Sequence, residues 1–438
     1  MRTDTHTAFW FFRQVSVDSF WGFLGPERLA GLRRLDDPKR RQRKLGLAGF
    51  LWLGLFLAAH TYLPSLEAVF LALAPFLAQG NGLPLLPVTV SAFTQFRLRF
   101  PLRLLRAFWA QLAQEAREPL RPQHALWRGL RPWAVDGTDL LVPEDLWSVF
   151  GAHRIRQGEG FAQAHLLVLY DLAVRVPVAC RLSRCDPDER DRAARLFGTL
   201  GPGDLLLIDA GFYSIGVFAD LNRGGVKFAV PMRKNGKPKC LQAFGPGDGL
   251  YSIAASPQHW KDHPDVPRNL TVRIVTVCRD GFRPRRLVTN LLDPQAFPAQ
   301  EIAELYHRRW HIETFYRELK HTLHLQRWHA RTLHSLYAEL FFTMILVTLT
   351  RLIMAQAADG QDPATLSFAR CLRWVLAAAL LAMGRPPDEW PALYDQLLMQ
   401  VRRCRIDIRP GRQFERLKQK RRAASRTKRL AAMKETKL

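Results

Sequence analysis

No formally charged residue occurs between Leu45 and Leu66, immediately after the basic run Arg40-Arg41-Gln42-Arg43-Lys44. Such a segment must be enclosed, either by lipid or by the rest of the protein. Its fully apolar part, Leu45 to Ala59, falls short of the ~20 residues that cross a bilayer as a helix. His60, Thr61, Tyr62 and Pro64 follow it, and they suit a helix end better than a hydrocarbon core. The run also begins too deep for a signal peptide, with Arg2, Asp4, Asp18 and Glu27 ahead of it. It therefore predicts a buried helix, and the chain must provide a core to bury it. A length of 438 residues, 48% hydrophobic and 24% charged, provides one. Collagen-like, mucin-like and disulfide-scaffold folds are excluded.

The unusual quantity is charge. Lys and Arg number 64 against 39 Asp and Glu, a net charge of +25. Such a field favours a polyanion, nucleic acid or an anionic membrane, and disfavours a simple metabolic enzyme. Much of it is concentrated at the C-terminus, where residues 402–438 hold fifteen basic and three acidic residues. Apolar periodicity is lost after Leu417, so this segment reads as a basic arm suited to phosphate. The stretch from Phe93 to Glu115 sets Arg97, Arg99, Arg103 and Arg106 among apolar residues, as either a solvated helix face or a DNA backbone contact. The six cysteines, Cys180, Cys185, Cys240, Cys278, Cys371 and Cys404, form no Cys-x-x-Cys pair. They read as reduced thiols of a cytosolic protein rather than as a zinc site.

Texture divides the chain. Apolar helical stretches at 45–59 and 66–78 precede a Gly/Pro loop from Gly80 to Pro87. From Arg131 short β-type runs take over. Pro132 to Val135 predicts a strand ending in a turn at Asp136-Gly137-Thr138, residues 163–170 and 173–182 a hairpin, and Pro187 to Leu200 a helix. Leu205 to Ile208 reads as a buried strand running into Asp209, followed by a short helix from Ser214 and a strand over Val226–Val230. Residues 233–293 are turn-rich, with strands near 270–277 and 286–290. A long helical pattern then runs from Pro298 to about His329, and helices continue through the apolar stretch Leu340–Leu349.

The candidate chemistry lies on that long pattern. At 100° per residue, Tyr306, Arg309, Glu313 and Lys320 share one narrow polar stripe, beside an apolar arc of Leu305, Ile312, Phe315 and Leu319. The bland alternative is an exposed helix with an Arg309–Glu313 ion pair. Asp136 and Asp209 each close an apolar run and precede a small residue, so both should emerge at strand ends, where ligands of helix-flanked sheets collect. Three converging carboxylates suggest hard divalent ions, magnesium or manganese, and hence two-metal phosphoryl transfer. Arg309 and Lys320 would add charge for the phosphate.

These residues resemble the DDE transposases of bacterial insertion sequences, in the group typified by insertion sequence 4. Tyr306-x2-Arg309-x3-Glu313-x6-Lys320 is similar to that family's C-terminal signature, and Asp136-Gly137-Thr138 to its first aspartate motif. Asp209-Ala210-Gly211-Phe212-x-Ser214 is similar to the second, with Ala210 where the family usually has arginine. The resemblance implies an α/β fold: a ribonuclease-H-like mixed sheet with flanking helices, a β-rich insertion and helical N- and C-terminal regions. The division expected is 1–124 for a helical DNA-binding domain, 125–330 for the catalytic domain with its insertion at about 233–293, and 331–438 for a helical region ending in the basic arm. It implies Asp136, Asp209 and Glu313 as catalytic, metal-holding carboxylates. Tyr306, Arg309, Trp310 and Lys320 become candidate DNA contacts, with Trp310 either stacking near terminal bases or packing as an ordinary aromatic. Two magnesium ions, replaceable by manganese, double-stranded DNA (element ends and target), a homodimer in the synaptic complex and a cytoplasmic, nucleoid-associated location complete the expectation. A nuclease of the same fold without strand transfer, a non-catalytic DNA-binding protein and a basic membrane-associated protein are the alternatives.

Overall fold

A computed structural model of the chain describes residues 47–77, 89–117, 126–154, 160–184, 189–233, 238–255, 266–278, 284–383 and 389–406. The run Arg40–Lys44, the Gly80–Pro87 loop and the basic arm from residue 407 onward lie outside the described residues.

The uncharged run opens as helix α1 (Leu47–Ala59). It contains no β-branched residue to oppose a helix, and Phe50, Leu51, Leu53, Leu55, Phe56 and Leu57 are all buried. Its Gly54 has a packing purpose, since a Cβ there would lie 2.2–2.4 Å from ring atoms of Phe342. Helices α2 (Leu66–Leu77), α3 (Val90–Arg99) and α4 (Leu102–Glu115) come after it. Thr89 caps α3 by accepting from the Ala92 amide.

The sheet begins with β1 (Arg131–Leu141), β2 (Ala152–Arg154), β3 (Gly160–Asp171) and β4 (Val176–Arg184). Helix α5 (Glu189–Phe197), strand β5 (Asp204–Leu207), helix α6 (Ile215–Arg223) and strand β6 (Lys227–Pro231) come next. β1 pairs antiparallel with β3 and parallel with β5, β5 pairs parallel with β6, and β4 lies antiparallel against β3. Across the sheet the five principal strands run β4-β3-β1-β5-β6, the order of a ribonuclease-H-like sheet.

Strands β7 (Lys239–Gly245), β8 (Asp248–Ala254), β9 (Asn269–Val277) and β10 (Arg285–Thr289) form the expected β-rich region, the first two without a mark in the sequence. They are no separate layer. β10 pairs with β6, so the same sheet continues outward through β9 and β8 to β7, ten strands among the described residues.

One face packs Trp133, Val135, Leu167, Leu169 and Leu206 against α5 and α6 through Phe197, Phe218 and Leu221. The other packs Ala134, Leu166, Val168 and Tyr170 against the remaining helices. These are α7 (Ala299–His307), α8 (Trp310–Arg317), α9 (Leu333–Ala358), α10 (Phe368–Met383) and α11 (Trp390–Arg402). Among the described residues, α9 is the one helix long and apolar enough to cross a membrane, and its apolar window is wholly enclosed by protein. Two charges inside it have distant partners: Glu339 pairs with Arg97 at 2.5 Å and Arg351 with Glu318 at 2.6 Å. Arg97 is thereby buried, so within the 93–115 stretch only its exposed neighbours Arg99, Arg103 and Arg106 remain open to a phosphate backbone.

Candidate active site

The helical pattern 298–329 is not one rod. α7 stops at His307, α8 restarts at Trp310, and Glu318–Thr322 winds as a π-helix before the chain leaves helical geometry. A π-turn shifts the angular register of the residues beyond it, and such turns recur at functional sites. The polar stripe is accordingly split among three segments.

Register explains how two aspartates become neighbours. The parallel pairing of β1 with β5 ends at Ala134 opposite Leu207. Asp136 and Asp209 each lie two residues past that rung, so both follow the parity of the face that carries α8. β1 itself does not end at Asp136, as the sequence suggested. It continues to Leu141 because Asp136, Gly137 and Thr138 stay paired with Val168, Leu167 and Leu166 of β3. Asp136 marks the point where β1 loses its other neighbour. Asp209 caps a 3-10 turn, its Oδ1 accepting from the Gly211 amide at 2.7 Å. A Cβ on residue 211 would approach that oxygen to 2.9 Å, so a side chain there would push the Asp209 carboxylate from its place.

Arg309 joins the elements. Its Nη1 donates to Asp136 Oδ2 at 3.3 Å and its Nη2 to Glu313 Oε1 at 2.6 Å, while the Arg309 side chain as a whole is only 9% exposed. Its Nε is buried without a protein partner. Burial pushes the Asp136 carboxyl up to about 6; Arg309 and the Gly137 amide oppose this, and the charges of Asp209 and Glu313 add to it. Burial works against the charge of Arg309 too, yet Tyr306, Asp136 and Glu313 hold its pKa above the ordinary value.

The other candidates separate. Lys320 donates to Thr138 Oγ1 at 2.7 Å, and burial lowers its pKa against the pull of Asp139. Trp310 lies open, 43% exposed. Tyr306, expected on the same outward stripe, is turned inward. Its hydroxyl donates to the Ile208 carbonyl at 3.0 Å, and burial raises it to about 12. It braces the strand end that carries Asp209. Tyr316 plays a similar part for Asp136, donating to its backbone oxygen. Sequence reasoning missed Tyr316, although it adjoins the stripe; Thr138 stood in the aspartate motif without an assigned role.

An all-oxygen donor set suits a hard divalent ion. The arrangement does not. Among the described residues no three His, Cys, Asp or Glu side chains are grouped to hold an ion, and the Arg309 guanidinium takes the position between Asp136 and Glu313.

Known proteins are similar to this chain over the region that carries these residues. The family profile for the transposase DDE domain matches residues 127–349. The transposase InsG for insertion sequence element IS4 of Escherichia coli K12 is 27% identical over 340 residues, covering 75% of this chain and 76% of that protein. Among solved structures, the piggyBac transposase synaptic complex with hairpin DNA aligns over 92% of this chain and 86% of that one, at 10% identity and a TM-score of 0.45. Asp136, Asp209 and Glu313 all fall inside the matched segment, and the chain belongs to the DDE transposases.

Proposed function

We propose that this transposase cuts double-stranded DNA at the ends of its own element and joins those ends to target DNA, with Asp136, Asp209 and Glu313 as its reactive carboxylates. The observation that carries the reading is the Arg309 fork, which ties Asp136, at the point where β1 loses its β5 neighbour, to Glu313 of α8. Lys320, held beside it by Thr138, supplies a cation for a phosphate of the DNA end. Trp310 offers an open aromatic face one residue away, suited to stacking on a terminal base. Tyr306 and Tyr316 act as positioning residues through the Ile208 and Asp136 carbonyls. Arg99, Arg103 and Arg106, with the basic arm, provide sequence-independent affinity. The family uses divalent metal ions; magnesium, with manganese as a substitute, is the ion we assign to this member. Two copies would hold the paired ends in a synaptic complex, and the protein would work on nucleoid DNA in the cytoplasm.

The test is cleavage and joining by the full chain on a duplex carrying the element's terminal repeat, with magnesium or manganese supplied. Asp136→Ala, Asp209→Ala and Glu313→Ala should each abolish cleavage while leaving duplex binding within about threefold, since affinity comes mainly from basic groups. Cleavage without joined product would favour a nuclease of the same fold. Retained cleavage in any of the three variants would remove that residue from the site.

A further inference from the structure

We propose that Arg233, Arg285 and Arg286 form the seat of the target duplex, holding its phosphates on the side of the carboxylates away from Lys320. The inference rests on the reading of Asp136, Asp209 and Glu313 as the reactive carboxylates of an enzyme that joins DNA.

Sheet register brings the three arginines to the site. Leu207 of β5 stands opposite Ala229 of β6, and Pro231 of β6 opposite Leu287 of β10. Asp209 and Pro231 each lie two residues past the first of these rungs, so Pro231 and Leu287 are level with the Asp209 turn. Arg233 and Arg285 lie two residues further out, at the same end of the sheet as the two aspartates. At ~4.8 Å between strands and ~3.3 Å per residue, Arg285 stands about 12 Å from Asp209. Alternation along β10 sends Arg285 to the face that buries Leu287 and Arg286 to the face that buries Val288. Arg285 and Asp209 accordingly both lie within electrostatic reach of Tyr306, whereas Arg286 and Arg233 lie within reach of Tyr213, just beyond the Asp209 turn. The cations straddle the sheet margin.

Their charge is open to a ligand. All three arginines are exposed, and among the described residues none is paired with an acid. The Arg286 guanidinium lies 6.0 Å from the centre of the Tyr251 ring, which orients it without neutralising it. Ala210, exposed beside Asp209, brings no cation to this flank, so β6 and β10 must supply it. Lys320 stands at the other flank, on Thr138 of β1, with the end of the element. Joining brings a second DNA to the same carboxylates, and the arginine flank is the one left for it. Phosphate contacts carry no sequence information, which suits a partner met at many sequences better than an end that must be recognised. With ~3.4 Å of axis per phosphate on each strand, about 12 Å spans roughly four nucleotides. A strand lying at the carboxylates therefore passes the arginines within half a turn of duplex.

The experiment separates the two DNA partners, using the full chain with magnesium or manganese supplied. Cleavage is measured on an uncut terminal-repeat duplex, and joining with a pre-cut terminal-repeat duplex and a supercoiled plasmid. Compared are the wild type, the triple variant Arg233→Gln/Arg285→Gln/Arg286→Gln and the corresponding triple lysine variant, with thermal melts of each. The glutamine triple should raise the apparent KM for plasmid about tenfold and leave the maximal joining rate, end cleavage and terminal-repeat affinity within about twofold. The lysine triple, which keeps the charges, should join within about threefold of wild type. Arg285→Gln alone replaces the triple if the triple melts early, and should raise the same KM about twofold to threefold. An unchanged KM for plasmid would overturn the seat, and so would cleavage that falls in step with joining, which would assign the arginines to the element end. Wild type that cleaves but joins nothing would overturn the joining reading itself, and the seat with it.

Discussion

Replacing Asp136 by asparagine should make the protein more stable while destroying its reaction. The carboxyl has a folded pKa of about 6 against an ordinary 3.8, chiefly through burial. An acid whose pKa is raised on folding binds its proton more tightly in the native state, so stability falls as pH rises through the interval between the two values. Below about pH 4 the carboxyl is protonated in both states and the contribution vanishes. Above about pH 6 it is ionised in both, and the native state carries the whole difference. A shift of about two units corresponds to roughly 3 kcal/mol at 1.36 kcal/mol per unit. Arg309 already offsets part of the burial, and asparagine can still accept from its Nη1, so the variant should gain about 2–3 kcal/mol at pH 7.5 and roughly half that at pH 5. Urea denaturation of the full chain, with chelator and without DNA, measures this at both pH values. A variant no more stable than wild type at pH 7.5, or a gain that grows toward pH 5, would refute the account of Asp136 as an under-compensated buried acid.

Three other parts of the molecule lead to outcomes of their own. Glu339→Ala strands Arg97 inside the helical core and should cost about 3–5 kcal/mol in denaturant melts, whereas Arg97→Met with Glu339→Leu should recover most of the loss. Thr138→Val removes the hydroxyl to which Lys320 donates; end cleavage should fall about tenfold while affinity for random duplex stays unchanged, and Thr138→Ser should restore activity. Deleting residues 412–438 should flatten the dependence of duplex affinity on salt, by about 0.9 in log–log slope for each phosphate no longer neutralised, and an unchanged slope would remove the arm from DNA binding.

Local signals carried much of this molecule. The uncharged run at 45–59 reads directly as α1, and Leu205–Ile208 as the strand before Asp209, because composition alone forces both inside. The aspartate pair was legible for a related reason, since an apolar run stops at each acid, although only β5 ends there while β1 continues to Leu141. The angular arithmetic failed where it crossed breaks. It placed Tyr306 with Glu313, but 306 and 313 belong to different helices, and Tyr306 faces Ile208 instead. Arg97 could not be read as buried, since its partner Glu339 lies 242 residues away. The extent of α9 was hidden in the same way, because Glu339 and Arg351 look like boundaries until Arg97 and Glu318 neutralise them. The Arg309 bridge was half visible: its spacing to Glu313 is helical, while its reach to Asp136 depends on the tertiary fold.

The unbroken sheet has a mechanical meaning. An insertion joined by two flexible linkers would move independently, and a load placed on it would be absorbed at the joints. Here β10 pairs antiparallel with β6, placing Leu287, Val288 and Thr289 opposite Pro231, Val230 and Ala229, and β6 in turn pairs with β5. The strand immediately before Asp209 is thus separated from β10 by β6 alone, within one continuous sheet. Whatever grips the outer strands pulls on one hydrogen-bonded ladder, and the strand that leads into the Asp209 turn belongs to it.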